Sequence, residues 1–224
     1  MSQPHSRRKL VAFIDGFNLY YGSLKDRPDL KWLDLRKMVA VLFPNDEIMG
    51  VTYFTARVDD DGRSTPSEKR MRQDNYCRAL ASVDVEVVDG RLEYREKECL
   101  VSHCALPRPC FFRIPVEKMT DVNMALHMVE DVVKFSPNVA VVISGDTDLI
   151  PAMQRVRRLM PKGLKQAFIP CSEKALKFRR TDEYGLNGWV ARRLGEDVLR
   201  SAQFPPMVTA KDGTLLHRPT RWAI

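Results

Sequence analysis

Four aspartates stand where a chain could do chemistry with them. Asp15 closes the apolar run K-L-V-A-F-I-D (9–15). Asp146 and Asp148 follow the run V-A-V-V-I (139–143) by way of Ser144 and Gly145, with Thr147 between them. Asp121 falls in the first turn of an amphipathic pattern that begins after E-K-M-T (117–120). Like charges brought together raise one another's pKa unless a cation intervenes. An all-oxygen ligand set suits Mg²⁺ or Mn²⁺. Such ions polarise a phosphoryl oxygen and make hydroxide available from water, which is what hydrolysis of a phosphodiester needs. Each residue also has an ordinary reading. Asp and Thr are preferred helix caps, so Asp146 or Thr147 taken alone is as much a cap as a ligand. Asn18, three residues after Asp15, reads either as a cap or as a partner aimed at the same point.

The elements that must position these residues are legible as an alternation. Val139–Ile143 is β-branched and wholly apolar, as a strand buried on both faces reads. Segments 9–15, 50–56, 83–88 and 165–170 read as strands too. Between them lie helical patterns at 34–43, with Asp34 as cap, at 67–80, from 120 onward and at 150–158. In the helix after residue 120, Val122, Ala125, Leu126, Val129, Val132 and Val133 are expected to mark the buried face, and Thr120 or Asp121 to cap it. Strands alternating with helices predict an α/β fold with a mostly parallel, five-stranded sheet. Carboxylates at the strand ends of such a sheet lie where its ligands bind. Residues 91–94 and 110–113 read as the arms of a small inserted hairpin. The expected organisation is a flexible start (1–8), one domain (9–195, with the insertion at about 91–114) and a tail (196–224) packed on the body.

The net charge is +7 and the pI about 9.2, which favours a polyanionic partner. Basic residues concentrate over 155–193, including Arg155, Arg157, Arg158, Lys162, Lys165, Lys174, Lys177, Arg179, Arg180, Arg192 and Arg193. No apolar run is long enough to span a bilayer, and no signal peptide is read. Five cysteines, an odd number, argue for a reducing compartment, here the cytoplasm. Four candidate zinc ligands, Cys99, His103, Cys104 and Cys110, crowd the inserted hairpin. Their spacing departs from the close pairs of structural zinc sites, so a loop of ordinary reduced thiols is the favoured reading and zinc the alternative.

The chain resembles the NYN domain family of the PIN-like nuclease superfamily, and within it the LabA-like (DUF88) branch. The likeness is carried by F-I-D-G-F-N-L (13–19), E-K-M-T-D-V-N-M-A (117–125) and V-I-S-G-D-T-D-L-I-P (142–151). It implies a Rossmann-like three-layer α/β/α sandwich and metal-dependent ribonuclease chemistry. Matched position by position, Asp15, Asp121, Asp146 and Asp148 correspond to the family's acidic residues and metal ligands. Asn18 and Lys118 correspond to its Asn and Lys, and Ser144 and Thr147 to supporting hydroxyls. Position 119 is Met where the family often has Gly. The function expected is hydrolysis of RNA, single strands foremost, at the four aspartates with Mg²⁺ or Mn²⁺. The alternative is a catalytically weak RNA-binding or regulatory module. Self-association as a homodimer is left open.

Overall fold

The computed structural model describes residues 6–58, 65–101, 103–107, 109–169 and 188–223, without the side chains of Pro115, Phe168 and Ile169. A seven-stranded sheet is formed by β1 (Lys9–Asp15), β2 (Glu47–Ala56), β3 (Val85–Glu98), β4 (Phe111–Lys118), β5 (Val139–Ile143), β6 (Leu164–Ile169) and β7 (Trp189–Arg193). Their spatial order is β4-β3-β2-β1-β5-β6-β7. All neighbours pair in parallel except β3 with β4. The five-stranded expectation is therefore corrected to seven. One added strand is the return arm of the hairpin, whose outgoing arm is the far half of β3 itself. The other is β7, a short strand, Trp189–Arg193, without the apolar run that marks a strand buried on both faces. Of the basic stretch, Lys174, Lys177, Arg179 and Arg180 lie outside the described residues.

Two apolar cores sandwich the sheet, and β1 feeds both. Leu10, Ala12 and Ile14 point into one, with α2 (Leu35–Leu42) and α3 (Glu68–Ser82). Val11 and Phe13 point into the other, with α4 (Thr120–Phe135) and α5 (Ile150–Leu159). Period-two alternation on a strand covered on both faces produces this division, and it explains why 10–14 are all apolar. Each side chain so buried contributes about 1.5–3 kcal/mol. The first core continues into α6 (Glu196–Ser201) and the hairpin of β8 (Met207–Thr209) and β9 (Leu215–His217). There Trp222 packs on Trp32 and Tyr76, and Trp32 donates its indole N–H to Pro205.

Helix α4 corrects the expected burial. It buries Met124, Met128 and Val132, while Val122, Leu126 and Val133 are exposed. β-Branched residues were read as the core stripe, but the longer methionines fill it. Neither Thr120 nor Asp121 caps the helix; the N-cap is Met119, in a left-handed conformation with φ 75°. Asp34 caps α2 as expected, accepting from Lys37 N–H.

Candidate metal centre

The sheet reverses its winding between β1 and β5. From β1 the chain moves outward one way through β2 and β3, and from β5 the other way through β6 and β7. At such a switch point the connections leave in opposite directions and open a crevice beyond the strand ends. Ile14 stands beside Ile143 in the parallel register, so Asp15 and Ser144, one residue further on, reach the rim together. Asp15 is 3% exposed. Its Oδ2 accepts from Asn18 Nδ2 (2.7 Å) and Ser144 Oγ (2.8 Å), and its Oδ1 from Asn18 N–H (3.0 Å). Asn18 Oδ1 in turn accepts from Gly145 N–H (3.1 Å) and Ser144 Oγ from Asp146 N–H (3.0 Å). Asn18 is therefore not a helix cap, a role Asp15 itself fills for the short α1 (Gly16–Leu19). It is a brace between the two central strand ends. Gly16 makes the brace fit: a Cβ there would stand 2.6 Å from Phe54 O and 2.7 Å from the Tyr53 ring.

Asp121 arrives from the other side. β3 overshoots the rim, β4 returns antiparallel, and Lys118 comes back beside Arg91. The first turn of α4 then starts against Gly90, where a Cβ would collide with Thr120 Oγ1. Asp15, Asp121 and Asp146 each offer a carboxylate oxygen, all within 4.8 Å of one another. The cap reading of Asp146 holds, and it does not take the residue away from the other acids. One oxygen caps the 3-10 turn Thr147–Leu149 by accepting from Asp148 N–H (2.9 Å), and the residue still belongs to the trio. The expected four acids are corrected to three. Asp148 is exposed and outside the group, because the turn that Asp146 caps starts a new direction between them. Its charge still reaches Asp121. Thr147 is exposed on the same turn.

The sequence reading missed Glu117. Burial first, and then the charges of Asp15, Asp121 and Asp146, push its carboxyl up to about 7. Its Oε1 is shut off from water without a hydrogen-bond partner. The Thr120 hydroxyl lies close enough to oppose the rise, yet Thr120 Oγ1 closes no hydrogen bond of good geometry either. Strand alternation was the signal available. Glu117 on β4 faces the acids, so its neighbour Lys118 turns to the opposite side of the ribbon. Burial also raises Asp15, against the hydrogen bonds from Asn18 and Ser144, and raises Asp121 with help from Asp146, Asp15 and Asp148. No lysine or arginine ranks among the leading influences on these three acids. A buried unpartnered carboxylate oxygen beside three converging carboxylates that form no ion pair among the described residues fits a hard divalent cation.

One member of the basic stretch is not on the surface. Lys165 is buried, and its Nζ donates to the carbonyls of Met160 (2.7 Å) and Gly163 (2.6 Å), so it ties the end of α5 to β6. Among the described residues no helix is long and apolar enough to cross a membrane.

A doubly wound sheet with an acid cluster at its switch point defines a class of α/β proteins that hold a ligand or metal on the carboxyl rim. Within that class the chain belongs to the NYN domain family, whose model matches residues 9–162. It is also similar to the 6-hydroxy-3-succinoylpyridine 3-monooxygenase HspA of Pseudomonas putida (strain DSM 28022 / S16). The two are 25% identical, over 94% of this chain and 74% of that protein. Among solved structures, the protein of unknown function VPA0982 from Vibrio parahaemolyticus RIMD 2210633 matches with a TM-score of 0.44 and 16% identity, covering 85% of this chain and 96% of that one.

Proposed function

We propose that this chain is a Mg²⁺- or Mn²⁺-dependent ribonuclease of the LabA-like branch, acting on single-stranded RNA. The observation that carries the reading is the meeting of Asp15, Asp121 and Asp146 at the switch point, where among the described residues none of them forms an ion pair. These three would hold the ion, and when bound it supplies Lewis acidity toward a phosphoryl oxygen and acidifies water. Asn18 and Ser144 keep Asp15 in one orientation. Asp148, at the edge, orients water on the exposed side. Glu117 has a carboxyl poised near neutrality, suited to carry a proton to or from the reacting oxygens. We assign no substrate contact to Lys118. Downstream of Asp15, a π-helical turn exposes Tyr20 and Tyr21, with Lys31 and Lys25 over their rings. Exposed aromatics beside lysines suit unstacked bases and their phosphates.

The test is purified wild type against Asp146→Asn on labelled single-stranded RNA and DNA, with Mn²⁺, with Mg²⁺ and without divalent ions. Metal-dependent cleavage of RNA, reduced at least about 100-fold in the variant, is the expected result. Tight RNA binding with no cleavage by either protein would replace this reading with the binding module. The name of the Pseudomonas relative favours a second reading, oxygenation of a hydroxylated pyridine. Oxygen uptake with such a ring and a two-electron reductant, in the absence of RNA cleavage, would select it.

A further inference from the structure

The tip of the β3–β4 hairpin carries a second convergence of ligating atoms, outside the acidic rim. The Sγ atoms of Cys99, Cys104 and Cys110 all lie within 4.8 Å of one another, and those of Cys104 and Cys110 are 3.4 Å apart. All three are free thiols. Ligands about 2.3 Å from a tetrahedral zinc stand about 3.8 Å from each other, so the trio already has the spacing of one face of such a site. The backbone is arranged for it. Cys99 N–H donates to Cys110 O (2.8 Å) and closes the base of the loop. Cys104 N–H donates to Val101 O (3.2 Å) in a turn that brings the second sulfur inward. The Leu106 backbone lies close enough to the Cys104 sulfur to favour its thiolate, the kind of outer contact that supports a thiolate ligand.

What else could order this segment is scarce. Leu100, Val101 and Leu106 are 85%, 61% and 62% exposed, and Phe111 and Phe112 at the start of β4 are exposed as well. A loop that turns its apolar side chains outward and three sulfurs inward has no core of its own. Ordering its residues costs about 1–2 kcal/mol each in backbone entropy. Buried apolar area here does not offset that cost; metal–thiolate bonds would.

We propose that Cys99, Cys104 and Cys110 bind one Zn²⁺ as a trithiolate site that organises the hairpin tip, with solvent in the fourth position. The ion displaces the protons of the thiols it binds and changes no oxidation state. His103 is exposed and outside the trio, so the sequence pattern C-x3-H-C-x5-C is corrected to three cysteines. Sequence spacing argued against zinc because it assumed a close pair. The structure supplies the closeness by pairing the two arms of the hairpin instead.

The experiment is metal analysis of the full chain purified under reducing conditions, with Co²⁺ exchanged for the native metal. About one zinc per chain is expected, and the Co²⁺ form should show thiolate charge-transfer and tetrahedral d–d bands. Cys104→Ser should lose both and speed hydrogen exchange over 95–113, whereas Cys171→Ser should retain them. Zinc at background with all thiols titratable, a Cys104–Cys110 disulfide in the purified protein, or a Cys104→Ser variant that keeps its zinc would each overturn the proposal. The metal content and Co²⁺ spectrum of the wild type decide the matter even where a variant folds poorly.

Discussion

The molecule gathers ligating atoms twice, in opposite ways. The acidic trio draws on three separate segments, the first more than a hundred residues before the other two, fixed by a sheet whose central strands are covered on both faces. Asp15 keeps its place through Asn18 and Ser144 whether or not a cation is present. The thiol trio comes from one short loop, with Leu100, Val101 and Leu106 exposed around it. At the rim the fold itself holds like charges together, which favours a bound cation. At the hairpin tip, on the zinc proposal, the order comes from what is bound. A rigid scaffold suits chemistry that needs fixed geometry, while a loop closed by metal suits a structural role.

That contrast can be broken at the scaffold, with the largest effect at Gly16. Gly16→Ala would press a methyl group into Phe54 O and the Tyr53 ring. Overpacking of this kind costs about 1–3 kcal/mol, and a shift of about 1 Å in Asp15 and Asn18 costs about 100-fold in rate. Urea unfolding and RNA cleavage check the two parts, and the zinc content should not change.

Next in size is the electrostatic strain at the rim. The Glu117 carboxyl sits at about 7 in the folded chain against an ordinary 4.5. Between those values the folded state holds a proton that the unfolded state has released, so stability falls as pH rises from about 4.5 to about 7 and stays low above. Glu117→Gln is therefore expected to stabilise the protein at pH 8 by about 1 kcal/mol in buffer without added divalent ions, a value discounted because the group is only half-buried. It should flatten the pH dependence of Tm and gain less from Mn²⁺ than wild type does. A variant with the wild-type slope would remove Glu117 from the site.

The smallest effect sharpens the comparison at the joint between the two regions. Met119 adopts φ 75° while its side chain is 57% exposed. A left-handed non-glycine residue costs about 1–2 kcal/mol, partly cancelled by the entropy glycine adds to the unfolded chain. Met119→Gly should raise stability by about 0.5 kcal/mol net without moving Asp121, as denaturant midpoints and unchanged Mn²⁺ affinity would show.

Much of this was legible in residue order. The runs at 9–15 and 139–143 declared buried strands, the first ending in Asp15 and the second followed three residues on by Asp146. Asn18 was read as a possible partner of Asp15, and Ser144 entered only as a supporting hydroxyl through the family resemblance. What did not show was set by tertiary context. Asp148 is two residues from Asp146, but a capped turn separates them. Glu117 was missed because its one sequence mark, a place in the alternation of the hairpin arm, is weak for a lone charged residue. Val122, Leu126 and Val133 looked like a core stripe, and only packing shows that the methionines won it. The departure from glycine at 119 was visible, and its left-handed backbone gives the reason glycine would suit that turn.

The most direct test of the rim as a cation site is Mn²⁺ titration followed by the electron paramagnetic resonance of the free ion, comparing zinc-replete wild type with Asp15→Asn. Asn fills the same volume and removes a charge that burial already disfavours, but it offers one acceptor oxygen where Asp15 uses two, so circular dichroism is the control that the fold persists. Wild type should deplete the free-ion signal and the variant should not. Equal depletion by both proteins, or none by either, would contradict the account.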